Sequence, residues 1–294
     1  SSAAVLLADW AGSLGPGTRR TYTYHIRAFA RWLGVPWAHL PAAYLAAGAG
    51  PATRLALRYQ AALRDRGLAP STINAALTAL RSLAAFARLV GEIDWALGPV
   101  RALRVVPYRD TRGPGLEGVR ALLAAAERQP DPRRALRDTL TVRLLFDLAL
   151  RCQELTTVRR GPDVERDAAG HPVAIHVIAK GHHQRQRLAL PPATAAALAA
   201  WLAVADPAEP RVIGLSTRGV AKRIRRLGTV AGLPAHVCHP HALRHASVSA
   251  ALQTWDVRAA QRHSRHRQIS TLIVYDDQRR QGGAAVADTV SRLL

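Results

Sequence analysis

The sequence predicts a mostly α-helical protein with one small β-sheet (an α+β chain), divided into two domains. Three observations predict it: apolar residues recur at helical spacing over most of the chain, two short stretches alternate as strands do, and a proline- and glycine-rich stretch without strong periodicity separates two halves. At 294 residues and 49% hydrophobic composition the chain can bury a real core, and its length favours two domains over one. A formal charge of +21 exceeds what solubility needs and points to a polyanionic partner, nucleic acid first and an anionic membrane surface a distant second. No apolar run approaches the length of a membrane span, and the apolar stretch Ala3 to Leu7 has no basic region before it, so a soluble, cytoplasmic protein is expected. Cys152 and Cys238 form neither a disulfide framework nor a metal-ligand spacing, which makes reduced thiols the default.

Taken in order, Thr18 to Leu33 (TRRTYTYHIRAFARWL) puts Tyr22, Ile26, Phe29, Ala30 and Leu33 on one helical face, with Thr18 as N-cap. Residues 52 to 67 read as a second helix ended by Gly67, and Ser71 to Val90 as a third, capped by Ser71 after Pro70. Residues 1 to 105 hold 12 basic against 4 acidic side chains, so this half alone is basic enough to lie on DNA. Gly98 to Gly115 (GPVRALRVVPYRDTRGPG) reads as an interdomain linker at about 99–114, which separates domains 1–105 and 106–294.

The second domain opens with helices Leu116 to Arg128 and Pro132 to Leu150, and Arg151 follows directly. An arginine there by itself most often complements a helix C-terminus. Pro172 to Ala179 and Gln184 to Leu190 are expected to pair as a hairpin, with Lys180 at its tip or shoulder and His182 and His183 beside it, solvated or touching DNA. Pro192 to Ala203 is almost wholly apolar and belongs to the core. Thr217 to Leu227 carries Arg218, Lys222, Arg223, Arg225 and Arg226, which makes it a candidate for phosphate or groove contact. Of the 41 basic side chains only Lys180 and Lys222 are lysines, a bias that a genome rich in arginine codons largely explains. A lysine can release a proton at accessible cost whereas arginine stays charged, so each surviving lysine is a candidate acid.

The chemistry concentrates between His239 and Asp277, HPHALRHASVSAALQTWDVRAAQRHSRHRQISTLIVYDD. His241 and Arg244 lie three apart at an expected helix start and so share a face, His266 follows, and Tyr275 comes nine residues later. Imidazoles, a guanidinium and a phenol suit a phosphate ester: they hold oxygens, move protons and supply an oxygen nucleophile. A tyrosine with an ordinary pKa near 10 attacks only where cations and a base favour its phenolate.

The spacing H-x-L-R-H (His241 to His245), a second histidine at His266, and I-x-T-x-x-x-Y (Ile269 to Tyr275) resembles the C-terminal signature of the tyrosine recombinases, or phage integrases. LALRCQEL, with Arg151, Glu154 and Leu155, resembles the motif of that family's first catalytic arginine, and KGHHQRQRLALP places Lys180 where the family has its β-hairpin lysine. The N-terminal half is similar to the family's helical, SAM-like core-binding domain, with Arg19, Arg20, Asn74 and Arg81 as candidate DNA contacts beside Arg218, Lys222, Arg225 and Arg226.

The resemblance implies a C-shaped clamp around double-stranded DNA and a catalytic set of Arg151, Lys180, His241, Arg244, His266 and Tyr275. It implies a 3′-phosphotyrosine intermediate, no ATP, no cofactor and no metal, and Glu154 reads as a structural partner of the first arginine, because a carboxylate beside the scissile phosphate would repel it. It further implies a homotetramer in which the tail after the Gly282–Gly283 hinge, with Val286, Val290 and Leu293 on one stripe, docks on a neighbour. Two other readings stand beside it: a type IB topoisomerase, and a DNA-binding regulator that keeps the fold without the catalysis. The expected location is the cytoplasm, on the nucleoid, and the absence of an arm-binding segment before Thr18 favours a simple core-site recombinase. The chain departs from the family pattern at Ser264, Arg265 and His266, where Leu-Gly-His is usual, which suggests a different local backbone or an extra phosphate contact.

Overall fold

A computed structural model describes residues 3–98, 100–105, 113–178, 185–266, 268, 269 and 272. The chain divides into two compact units, Ser1–Pro107 and Tyr108–Leu294. Both follow the expected class: the first is helical among its described residues, and the second adds one small sheet to a helical body. No described helix is long and apolar enough to cross a membrane.

The N-terminal unit contains α1 (Ala3–Ser13), α2 (Pro16–Leu33), α3 (Leu40–Tyr44), α4 (Ala49–Asp65) and α5 (Pro70–Leu89). Ile26, Phe29 and Ala30 bury the predicted face of α2, and Gly34, left-handed at φ 71°, ends it by donating to carbonyls of the last turn. Phe29 sits 5.0 Å from both Tyr44 and Tyr59, ring centre to ring centre, so one aromatic joins three helices. The helix α1 was not foreseen: Leu6, Leu7 and Trp10 are buried, and the Trp10 indole N–H donates to Ser82 Oγ at 3.1 Å.

The first part of the expected linker is strapped onto this unit. Val100 is buried, Gln60 Nε2 donates to Arg101 O at 2.9 Å, and Asn74 exchanges two 2.8 Å hydrogen bonds with the Leu103 backbone. The Arg81 guanidinium donates to the Val100 carbonyl. An irregular segment still needs partners for its backbone groups, and polar side chains of α4 and α5 supply them.

The second unit begins with α6 (Gly115–Glu127) and α7 (Pro132–Asp147), and Asp131 caps α7 by accepting from two backbone N–H groups. A short α8 (Cys152–Thr157) leads to an antiparallel sheet of β1 (Val164–Arg166), β2 (Pro172–Ile178) and β3 (Arg185–Ala189), in that order. The β2–β3 register runs from Ala174 opposite Ala189 to Ile178 opposite Arg185. Then come α9 (Pro192–Val204), α10 (Thr217–Val230), α11 (Pro240–Thr254) and α12 (Val257–Ser264).

Leu122, Leu140, Leu145, Leu155, Leu198, Ile224 and Leu243 bring these elements into one core. Inside it lies a fully buried Asp138, which accepts from Arg223 Nε of α10 at 2.8 Å and from Gln129 Nε2 at 3.0 Å. A carboxylate this deep persists only when paired. The pair fixes α10 on α6 and α7 and removes Arg223 from the exposed face of that helix. Cys152 and Cys238 are free thiols, and burial raises the pKa of each.

Candidate active site

Four of the six expected catalytic side chains lie within the described residues, and the fold brings them together from three places. Arg151 is the N-cap of α8, His241 and Arg244 stand in the first turns of α11, and His266 follows α12. Lys180 and Tyr275 lie outside the described residues, as do the β2–β3 turn with His182 and His183 and the tail bearing Val286, Val290 and Leu293.

The helix α7 stops at Asp147, three residues before the predicted end. Ala149 turns left-handed at φ 46° and redirects the chain, so that Arg151 opens a new helix rather than closing the old one. Glu154 accepts from the Arg151 backbone N–H at 2.9 Å and from its Nη1 at 2.8 Å. The Arg151 side chain keeps 32% of its surface open to solvent while Glu154 keeps 3%.

At the start of α11, His239 caps the helix by accepting from the Ala242 N–H at 3.1 Å. His241 is exposed, and Arg244, one turn on, is 1% exposed. The Arg244 guanidinium donates to the Ala149 and Ser264 carbonyls and lies 3.5 Å from His266 Nε2. It therefore ties the turn before Arg151 to the turn before His266. Gly113, at φ 64°, lies so close over this first turn of α11 that a Cβ would strike the Ala242 carbonyl.

The histidines here are held neutral. Desolvation, followed by the charge of Arg244 and then of Arg151, lowers His266 to about 4. Desolvation and the nearby Arg244, His239 and Arg151 lower His241 as well. His245 falls to about 3 for the same first reason, with the His241 ring packed edge-on 4.1 Å away. The tautomer of His266 follows from its neighbours. Ser264 Oγ donates to Gln261 O and lies 2.8 Å from His266 Nδ1, so Nδ1 carries the proton and Nε2 turns its lone pair toward Arg244. A bound anion would offset the positive field that disfavours a second proton on His266.

Arg265, where the sequence suggested a different backbone or an extra phosphate contact, spends its side chain inside the protein. Its backbone is left-handed at φ 57°, the conformation a glycine takes most easily, and its side chain turns inward. Nη1 donates to Leu148 O at 2.9 Å, and Nη2 donates to Ala149 O at 3.2 Å and to Glu154 Oε2 at 2.9 Å. Burial alone would raise the Glu154 pKa, but Arg265 and the hydrogen bonds from Arg151 outweigh it and the carboxyl is lowered. Sequence reasoning missed this clasp, and the one signal for it was an arginine standing where glycine is usual.

Among the candidate DNA contacts, Arg218, Lys222, Arg225 and Arg226 are exposed along one face of α10, opposite buried Val220, Ile224 and Leu227. Arg20 is exposed on α2. Arg19 donates to the Gly12 and Leu14 carbonyls at 3.2 and 3.4 Å, and so caps the end of α1. Asn74 and Arg81 face the Leu103 and Val100 backbone, whose polar groups would otherwise lack partners.

Residues 116–281 match the model of the phage integrase family, and the chain belongs to that family, the tyrosine-type site-specific recombinases. It is 33% identical over 296 residues to a tyrosine recombinase of Synechococcus elongatus, covering 95% of this chain and 90% of that one. It is 31% identical over 297 residues to one from Synechocystis, covering 95% and 92%. The tyrosine recombinase XerA of Thermococcus kodakarensis is 30% identical over 271 residues, covering 88% and 84%. Among solved structures, the Tn1549 transposon integrase in complex with circular intermediate DNA superposes over all of both chains with TM-score 0.66 at 15% identity. The lambda integrase dimer bound to a COC′ core site gives 0.65 at 17%, over 94% of this chain and 77% of that chain. These two likenesses concern the fold.

Proposed function

We propose that the protein cuts and rejoins double-stranded DNA at specific sites through a phosphotyrosine link. The observation that carries this reading is the convergence of Arg151, Arg244, His241 and His266, close enough that both arginines depress both histidines, with the Glu154 carboxylate beside them held by two arginines. Arg151 and Arg244 balance the charge that grows on the nonbridging oxygens as phosphorus becomes five-coordinate. His266 donates to one of those oxygens, and His241 works as acid, base or hydrogen-bond donor. Tyr275 gives up its phenol proton to a base, a role open to neutral His241, and its Oη attacks phosphorus; the bond from phosphorus to the 5′ oxygen breaks, and Lys180 protonates the leaving oxygen. A 5′-hydroxyl from another strand reverses the step, with the phosphodiester energy kept in the tyrosine ester, so neither ATP nor metal takes part.

Arg20 and the α10 face contact phosphates of the duplex. Four copies assemble on two sites, in the cytoplasm on the nucleoid. The residues after Gly283 dock on a neighbouring copy, and a 640 Å³ cavity lined by Phe146, Ala250, Ala251, Trp255, Ala259 and Ala260 supports this as a receiving surface.

The test is capture. A pool of randomised duplexes, each carrying one nick, is incubated with the protein, and DNA that stays attached in detergent is sequenced. Wild-type protein is expected to retain a defined family of duplexes while Tyr275→Phe retains none; equal capture by the two proteins, or none by either, refutes the reading. Deleting residues 282–294 should spare cleavage of the captured duplex and abolish exchange between two copies of it.

A further inference from the structure

Among the described residues, Ala149 and Arg265 are the two non-glycine positions with left-handed backbone, at φ 46° and φ 57°. Such a position is strained for a residue with a Cβ and persists only where its surroundings over-determine it. The two are joined: Arg265 Nη2 donates to Ala149 O at 3.2 Å, and Arg244 donates to the same carbonyl. One turn delivers Arg151, two residues on, and the other delivers His266, the next residue.

We propose that Arg265 is a positioning residue of the recombinase, whose buried guanidinium clasps Glu154 and the Leu148 and Ala149 carbonyls so that part of the Arg151 fork is left to meet phosphate. This inference rests on the activity proposed above. Glu154 is the obvious competitor of DNA for Arg151, since both of its oxygens already accept from that residue. Arg265 takes a share of the carboxylate at 2.9 Å, with side chains that are 6% and 3% exposed, and water cannot do so at that depth. Its fork is also spent on two backbone carbonyls at the end of α7, so it locks the spacing between the Arg151 turn and the His266 turn. An arginine in this geometry serves the interior of the site rather than the DNA surface.

The experiment compares wild type, Arg265→Gly, Arg265→Lys, Glu154→Gln and the Arg265→Gly/Glu154→Gln double variant on the duplex captured by the wild type, with melting followed in parallel. Glycine suits φ 57°, so Arg265→Gly removes the side chain without backbone strain. At saturating DNA the covalent adduct is expected to form about 10- to 100-fold more slowly in Arg265→Gly, with duplex Kd within about threefold of wild type. Arg265→Lys should recover part of the rate, and the double variant should be no slower than Arg265→Gly, because removing the carboxylate charge removes what the clasp restrains. Wild-type rates in both the Gly and Lys variants overturn the inference, as does a loss confined to Kd. If Arg265→Gly does not fold, Arg265→Lys decides: a slowed bound-state rate with wild-type melting supports the inference, and an unchanged rate overturns it. No adduct from the wild type overturns the recombinase reading and this inference with it, whereas equal adduct from wild type and variants overturns the inference alone.

Discussion

The N-terminal unit keeps its charge outside and the C-terminal unit takes charge in. In the first, the interior is Trp10, Phe29, Tyr44, Tyr59 and a set of alanines and leucines, and the buried polar side chains among the described residues are His25 and Gln60. In the second, Asp138, Glu154, Asp163 and Arg244 are all buried, and five histidines have lowered pKa values. A binding surface needs only cations that phosphate can reach, and a helical scaffold supplies those at little cost. A site that stabilises a highly charged phosphorus needs cations fixed before the substrate arrives, which means desolvating them and holding them with carbonyls and carboxylates. Under the proposed activity, the contrast separates a unit suited to contact from a unit suited to preorganisation.

The largest effect that would break this contrast comes from Arg244→Ala. It is expected to lower the rate of covalent adduct formation by about two to three powers of ten. It should also cost the C-terminal unit roughly 1–3 kcal/mol for the Ser264 carbonyl left without this donor, the Ala149 carbonyl keeping Arg265, read by denaturant unfolding. A variant with near-wild-type cleavage would show that Arg244 only braces the turns.

Acid should separate the units next. The folded-state values of His266 and His245 lie at about 4 and about 3, below the 6.5 of an unfolded chain. Stability from keeping these rings neutral is present above pH 6.5 and is lost as the pH falls toward 4 and then 3, because the unfolded state takes up protons first. Calorimetry between pH 7.5 and 5 should show the C-terminal transition moving down well before the N-terminal one, which has only His25 as a comparable group. Transitions that move together would contradict the contrast.

A smaller effect sharpens it from the other side. Asn74→Ala removes both bonds to Leu103 and should cost the N-terminal unit about 1–2 kcal/mol with duplex affinity unchanged. Lost affinity at unchanged melting would restore Asn74 to the DNA surface. Smallest of all, Arg225→Gln on the exposed face of α10 should leave melting alone and reduce the slope of log affinity against log salt by about one, as loss of one phosphate contact requires. An unchanged slope would remove Arg225 from the interface.

Much of this was legible in the chain. The apolar period marked α2, α5 and α7 to within a few residues, and the strand alternation marked β2 and β3. Both signals are local, so one sequence window carries them. The spacing of His241 and Arg244 also needs only one helical turn to be understood. Arg81 shows where such reasoning stops: from the sequence it belongs to a basic helix face, and in the fold it serves the carbonyl of Val100.

The sequence by itself determined the fold class, the charge that calls for a polyanion, and the residue types available for phosphate chemistry. Only the tertiary structure decided which arginines face outward and which are consumed inside. That choice depends on backbone groups far away in the chain, as when Arg244 and Arg265 reach back more than a hundred residues in one case, and nearly as far in the other, to the same Ala149 carbonyl. A guanidinium carries the same charge in either place, and what differs is the set of acceptors that the fold puts within its reach.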